Sequence, residues 1–287
     1  MQHDAIILVT SSNGQSEITK KCLDSIVSKF KIKIFLLNYG VGDKEIQKLG
    51  NKVDYFEEFP DGTPITVEMN RGIQLAIPKT KIVFNLNNDT VMHKKTIDFM
   101  IEVLKTTDIK SLCGHITTSL DELHDFDIKE KGDLYYKDNF VSQNKFKSWL
   151  EVLNVDFGFD LYSANAWHTD YFKQIGLVDS KNFNEGIYLW DTDYQYRGVL
   201  RGIETYVASS AVYYHACSHT ANSSPESRAR MDKLYTSMKL VYQRKWGGKL
   251  TGSQYVGTQH NEDFIFPNQD KLTQLELLEF IAERIKK

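Results

Sequence analysis

The chain has 287 residues, 41% of them apolar and 25% charged, with a formal net charge of −3. That is the composition of a soluble globular protein with room for one large α/β domain or two small ones, and it excludes a chain-wide electrostatic pull toward nucleic acid or anionic membrane. Three widely spaced cysteines, Cys22, Cys113 and Cys217, form no Cys-x-x-Cys pair, which excludes a cysteine metal site and fits a reduced, cytoplasmic protein.

Met-Gln-His-Asp leads directly into an apolar run, Ala5 to Val9, which predicts a strand with no leader or transmembrane segment before it. Ser16 to Ser28 carries Ile18, Cys22, Ile26 and Val27 near helical spacing, and Lys33 to Leu37 reads as a second strand. Ile65 to Ile77 predicts a helix with Ile73, Ala76 and Ile77 on its apolar side. Ile82 to Leu86 predicts a third strand, and Thr96 to Leu104 a helix bearing Ile97, Met100, Ile101 and Leu104. This strand–helix alternation implies a mostly parallel sheet with right-handed crossovers. Residues 118 to 150 predict loops and short strands. A helical segment over Phe172 to Leu177 ends at Gly176, and Asp191 to Leu200 predicts another helix. Glu204 to Val207 and Ala211 to Tyr214 read as two short strands. Residues 251 to 270 read as a polar arm. Lys271 to Lys286 is amphipathic through Leu275, Leu278, Ile281 and Ile285, which suits a helix docked on the body, a dimer seam or a membrane-surface contact.

Three clusters carry candidate chemistry. The third strand runs into Asn87, Asn88 and Asp89 at its carboxyl end, where ligands bind in open α/β sheets. A carboxylate flanked by amide oxygens suits Mg²⁺ or Mn²⁺ carrying phosphate oxygens; an Asn-Asp turn closing a strand is the competing reading. The second cluster is the aromatic, glycine-containing run Phe183 to Arg197. Asp191 stands where a helix N-cap is expected, and capping competes with a role as general base. Asp193 and Arg197 are one turn apart and can pair. Tyr188, Trp190 and Tyr194 offer a stacking platform, or simply core filling. The third cluster is His215 to Thr220, a strand-end histidine followed by hydroxyls, suited to a metal or phosphate contact or to an ordinary surface position.

These elements, in this order, resemble the family 2 glycosyltransferases of the nucleotide-diphospho-sugar (GT-A) fold over roughly residues 4 to 250. Thr10-Ser11-Ser12-Asn13 is similar to the family's first nucleotide loop, and Phe35 to Asp43, with Asn38, to its second strand and acidic loop. Met69-Asn70-Arg71-Gly72 is similar to its Asn-x-Gly helix start, and Asn87-Asn88-Asp89 to its DxD-type motif in the form found in rhamnosyltransferase-like members. Ile175 to Asp179 and Trp190 to Arg197 are similar to its acceptor-side segment, His215 to Thr220 to its His-x-x-Ser-x-Thr element, and Lys245-Trp246-Gly247-Gly248 to a Lys-Trp-Gly-Gly ending. Asn38 stands where the family has a uracil-contacting Asp, and Trp190 where it has a Glu.

The resemblance implies a GT-A α/β fold with a nucleotide-sugar half over 1–117, an acceptor half over 118–250 and a C-terminal arm over 251–287. It implies nucleotide-sugar contacts from Thr10, Ser12, Asn13, Asn38, Asn70, Arg71, Asn87 and Asn88. Mn²⁺ or Mg²⁺ is expected on Asp89 and His215, acceptor contacts from Tyr188, Trp190 and Asp193, and inverting transfer with Asp191 as base. A saccharide is the default acceptor. A hydroxymethylated DNA base is the minority option, for which Lys94, Lys95, Arg228, Arg230, Arg244 and Lys245 are a candidate phosphate surface. A non-catalytic carbohydrate-binding protein is the remaining alternative. A P-loop or Rossmann dehydrogenase is unsupported, because neither GxxxxGK[ST] nor GxGxxG occurs.

Overall fold

The computed structural model describes residues 2–117, 120, 123, 140–142, 163–184, 189–201, 203, 205–216, 224–246, 248–251 and 254–257. Tyr188, the Cys217-to-Thr220 run and the amphipathic segment at 271–286 lie outside the described residues, as do most of 118–150 and of the polar arm.

Strand β1 (Ala5–Ser12) is buried almost throughout, because both of its faces are covered by helices. It pairs in parallel with β2 (Ile32–Tyr39) on one side and β4 (Ile82–Asn87) on the other, and β3 (Tyr55–Phe59) adds to β2. The crossovers are α1 (Ser16–Ser25), α2 (Lys44–Gly50) and α3 (Ile65–Ala76). Short β5 (Thr90–Met92) and α4 (Thr96–Thr106) follow, then β6 (Ser111–Thr117), β7 (Phe140–Ser142) and β8 (Ala164–His168). The chain continues through α5 (Thr169–Ile175), α6 (Trp190–Leu200), β9 (Thr205–His215) and α7 (Pro225–Trp246) to a separate hairpin, β10 (Gly248–Thr251) and β11 (Gln254–Gly257).

The main sheet has the order β3-β2-β1-β4-β8-β6-β9-β5, with β7 also paired to β9. Strand β8 is antiparallel to both β4 and β6, and β6 is parallel to β9. Two reversals therefore return β6 and β9 to the direction of β4. The carboxyl ends of β1, β2, β4 and β9 all meet one edge of the sheet.

Apolar side chains fill both sides. Met69 and Ile73 of α3, Tyr171 and Phe172 of α5, Trp190 and Tyr194 of α6, and Met238 and Tyr242 of α7 cover one face. Cys22 of α1, Ile46 of α2 and Met100 and Ile101 of α4 cover the other. Helix α3 approaches the sheet closely through Gly72, where a Cβ would lie 2.7 Å from Leu37 Cδ1. Helix α5 stops at Gly176, whose φ of 73° only glycine adopts freely.

The two short strands expected near 204–207 and 211–214 are one strand, β9. Its register against β6 jumps between Gly114 and His115, from Ala208 to Val212. The Ser209-Ser210 break in the apolar pattern is a bulge, not a loop. Gly114 is required there, since a Cβ would meet the Ala211 carbonyl oxygen at 2.7 Å.

Candidate active site

The sheet topology brings the first and third clusters together. Thr90 of β5 pairs with His215 of β9, and the Ala216 N–H donates to the Asp89 carbonyl at 3.0 Å. His215 Nε2 lies 2.8 Å from Asp89 Oδ1, and both side chains are largely buried. The Ser163 hydroxyl is 3.0 Å from His215 Nδ1 and accepts from Asn87 Nδ2 at 3.3 Å. Asn87, Ser163, His215 and Asp89 thus form one chain of polar contacts along the carboxyl edge. Ser163 was not among the sequence candidates, because it precedes a five-residue strand with no legible apolar period.

Asn88 turns inward. Its Nδ2 donates to Thr19 Oγ1 at 3.0 Å and Gln15 Oε1 at 3.1 Å, and Ser11 Oγ lies at 3.4 Å. It ties the acidic tip to β1 and the start of α1. Thr10 is buried in register with Asn87, and Ser12 pairs with Tyr39 at the end of β2. Asn38 is buried and donates through Nδ2 to Asn13 Oδ1 at 2.8 Å and to the Gly40 carbonyl at 2.9 Å. Asp43 accepts from the N–H groups of Glu45 and Ile46, capping α2, and from the Gly14 N–H at 2.7 Å. These backbone bonds hold its carboxyl below the usual carboxylate range, that of Gly14 foremost. The first and second nucleotide-loop candidates are therefore braced as one unit.

Asn70 faces the protein interior. Its Nδ2 donates to the Val178 carbonyl at 2.8 Å and its Oδ1 accepts from the Val178 N–H at 3.1 Å. Thr66 Oγ1 donates to the Phe183 carbonyl at 2.9 Å from the same helix. Arg71 is half-exposed, with Nε donating to Glu57 Oε2 at 3.0 Å. Because α3 runs back from the carboxyl edge, its first turns hold the 178–183 segment beside that edge.

Helix α6 departs from expectation in three respects. Asp191 is not the N-cap: the Leu189 carbonyl accepts from the Asp193 N–H at 2.9 Å, so Leu189 caps and Asp191 is the second helical residue. Leu189 holds a φ of 64°, a strained value for a non-glycine residue. Trp190, expected to face an acceptor, is 5% exposed and sits in the core beneath α3. Asp193, also expected to face an acceptor, is fully buried; Arg197 Nε lies 3.2 Å and Lys245 Nζ 2.7 Å from its carboxylate. A carboxylate enclosed by two cations is held by them and does not reach substrate. Lys245 consequently leaves the proposed basic surface. Asp191 alone of these three is partly exposed, and its charge, second to burial, raises the pKa of Tyr235 on α7.

Among the described residues no three His, Cys, Asp or Glu side chains gather as a metal centre. Asp89 and His215 nevertheless fit a divalent cation that brings its own ligands. One carboxylate and one imidazole supply oxygen and nitrogen donors suited to Mn²⁺, and diphosphate oxygens and water complete such a shell.

No protein-family model and no curated protein matches the sequence. Solved structures do match. The chain is similar to Staphylococcus aureus TarS 1-349, at 15% identity and TM-score 0.51, over 88% of this chain and 68% of that one. It is similar to the same protein in complex with UDP-GlcNAc, at 14% identity and TM-score 0.53, over 88% and 69%. Against a longer TarS structure the identity is 16% and the TM-score 0.52, with 41% of that chain spanned. Among the described residues no helix is long and apolar enough to cross a membrane. The sheet order, the flanking helices and this likeness establish that the chain has the GT-A fold seen in TarS.

Proposed function

We propose that the chain is a metal-dependent, inverting glycosyltransferase that moves a sugar from a nucleotide-diphospho-sugar to a hydroxyl of a saccharide acceptor. One observation carries this reading: Asp89 and His215, 126 positions apart in sequence, meet at 2.8 Å on the carboxyl edge of the sheet. The UDP and UDP-GlcNAc complexes of TarS support a uridine-diphospho-sugar as donor. Residues 1–117 would bind that donor, residues 118–250 the acceptor, and 251–287 form an appended arm. Thr10, Ser12, Asn13 and Asn38 would line the nucleotide side, Asn88 fixes the acidic tip through α1, and Arg71, midway along α3, would reach toward the donor.

Asp89 and His215 would hold the divalent cation, which would supply Lewis-acid stabilisation of the leaving diphosphate. Asp191 takes the proton of the acceptor hydroxyl as its oxygen attacks the anomeric carbon. The new carbon–oxygen bond forms on the face opposite the breaking bond to the diphosphate, so a single displacement inverts the configuration.

The test is a pair of variants. Asp191→Asn is expected to retain Mn²⁺-dependent UDP binding by calorimetry while losing at least ~100-fold in hydrolysis of UDP-sugars, consistent with removal of a general base. Asp89→Ala is expected to weaken Mn²⁺-dependent UDP binding at least ~10-fold, about 1.4 kcal/mol. Unchanged turnover in the first variant overturns the base, and unchanged binding in the second overturns the metal site.

A further inference from the structure

The described residues include a buried four-charge cluster beside α6 that the chemistry above does not use. Lys245, near the end of α7, reaches two carboxylates: Nζ lies 2.6 Å from Asp179 Oδ2 and 2.7 Å from Asp193 Oδ1. Its side chain is 2% exposed. The same ammonium stands 5.6 Å from the centre of the Phe183 ring. Arg197 completes the cluster. It holds Asp193 and donates to two further acceptors, the Ile175 carbonyl at 2.8 Å and the Leu177 carbonyl at 2.7 Å. Burial alone would raise the pKa of Asp179, but the Lys245 ammonium more than offsets it and holds this carboxyl far below the usual range.

Two cations and two anions balance, so the cluster is tolerated only while its charges stay balanced. It joins three pieces of chain: the end of α7, α6 from Asp193 to Arg197, and the 175–183 segment that Asn70 and Thr66 fasten to α3. Asp193 is two residues from Asp191 in the same turn of α6. We infer that Lys245 is a positioning residue, which fixes the first turn of α6 against α7 and the 175–183 segment so that Asp191 faces the acceptor. The inference rests on the role of Asp191 proposed above. A misplacement of about 1 Å by a residue remote from the chemistry can cost on the order of 100-fold in rate.

The experiment uses the full chain and three variants. Lys245→Met removes the ammonium at similar length. Lys245→Arg keeps the charge. Asp179→Asn/Lys245→Met removes one charge of each sign and covers the case in which the single variant fails to fold. Each is assayed below its Tm for UDP binding with Mn²⁺, hydrolysis of UDP-GlcNAc with Mn²⁺, and amide hydrogen exchange. Both variants carrying Lys245→Met are expected to bind UDP at full stoichiometry and unchanged affinity. Their kcat falls about 10- to 100-fold without a matching change in KM, and exchange quickens at 189–193 but not in β1 or β4. Lys245→Arg is expected to recover most of the rate.

If the balanced double variant matches wild type in kcat and in exchange at 189–193, the inference is overturned while the glycosyltransferase reading stands. If wild type neither binds UDP nor hydrolyses UDP-sugars, that reading fails and this inference fails with it. If wild type binds UDP but does not cleave UDP-GlcNAc, exchange at 189–193 decides alone, with unchanged protection overturning the inference.

Discussion

At the scale of single residues, the carboxylates divide according to what surrounds them. Asp89 meets an imidazole, Asp193 two cations, and Glu68 is governed by burial. Sequence made Asp89 legible, because a buried strand ending in an acidic tip is visible from pattern alone. The spacing of Asp193 and Arg197 made their pairing legible too; the second cation on Asp193, Lys245 of α7, was not, because it comes from a helix 52 positions further on. Glu68, on α3, is buried with Oε1 unpartnered among the described residues, and burial pushes its carboxyl up to about 8. In the unfolded chain the group titrates near pH ~4.3. The folded state therefore keeps a proton that the unfolded state releases as pH rises. Stability falls between those two values, by on the order of 5 kcal/mol in all, and the loss is complete once the folded form also ionises above about pH 8. Glu68→Gln removes this titration. Its Tm is expected to match wild type near pH 4 and to exceed it most at pH 8 and above. A Tm difference that does not change with pH would contradict the buried, uncharged carboxyl.

At the scale of elements, strongly periodic segments were readable: β1, β2, α3, β4 and α4 lie within a few residues of their predicted limits. Elements without an apolar period were not. Strand β8 reads Ala-Asn-Ala-Trp-His, and α7 has charged residues spread along its length while only a few positions near its end are buried. Loops were legible as turn residues but not as a braced unit. Gly40 shows what brings them together. Its φ is 95°, and a Cβ there would lie 2.5 Å from Asn13 Nδ2. An added methyl strains the backbone and displaces Asn13 from Asn38. Gly40→Ala is expected to cost about 1–3 kcal/mol of stability and to weaken UDP binding several-fold, because the β1 and β2 loops lose their shared geometry. Thermal melts and UDP calorimetry on the same sample test both parts. A destabilised variant with wild-type UDP affinity would mean that this brace does not shape the nucleotide side.

At the scale of the whole molecule, one sheet serves both parts of the sequence, because β8, β6 and β9 extend the sheet begun by β1 and β4. Local pattern predicts that strands exist and which face they bury; it does not state that β8 inserts between β4 and β6, since that order is fixed by contacts distant in sequence. The same applies to the latch between the parts. Asn70 was expected at the nucleotide from its motif, yet both ends of its amide are taken by Val178, 108 positions away. Asn70→Leu separates the two roles. It keeps the branched heavy-atom skeleton on α3 but leaves the Val178 N–H and carbonyl without the Asn70 amide in a buried position, at a cost of about 2–4 kcal/mol. If Asn70 is a latch, the Tm falls and amide exchange rises across 176–183, while the Kd for UDP stays within about two-fold, a change below 0.5 kcal/mol. If Asn70 reads the nucleotide instead, the Kd rises about ten-fold or more and exchange at 176–183 stays protected. Because α3 carries the latch on its buried side and Arg71 on its exposed side, the helix couples the 176–183 segment to the Arg71 side of the sheet's carboxyl edge only in the first case.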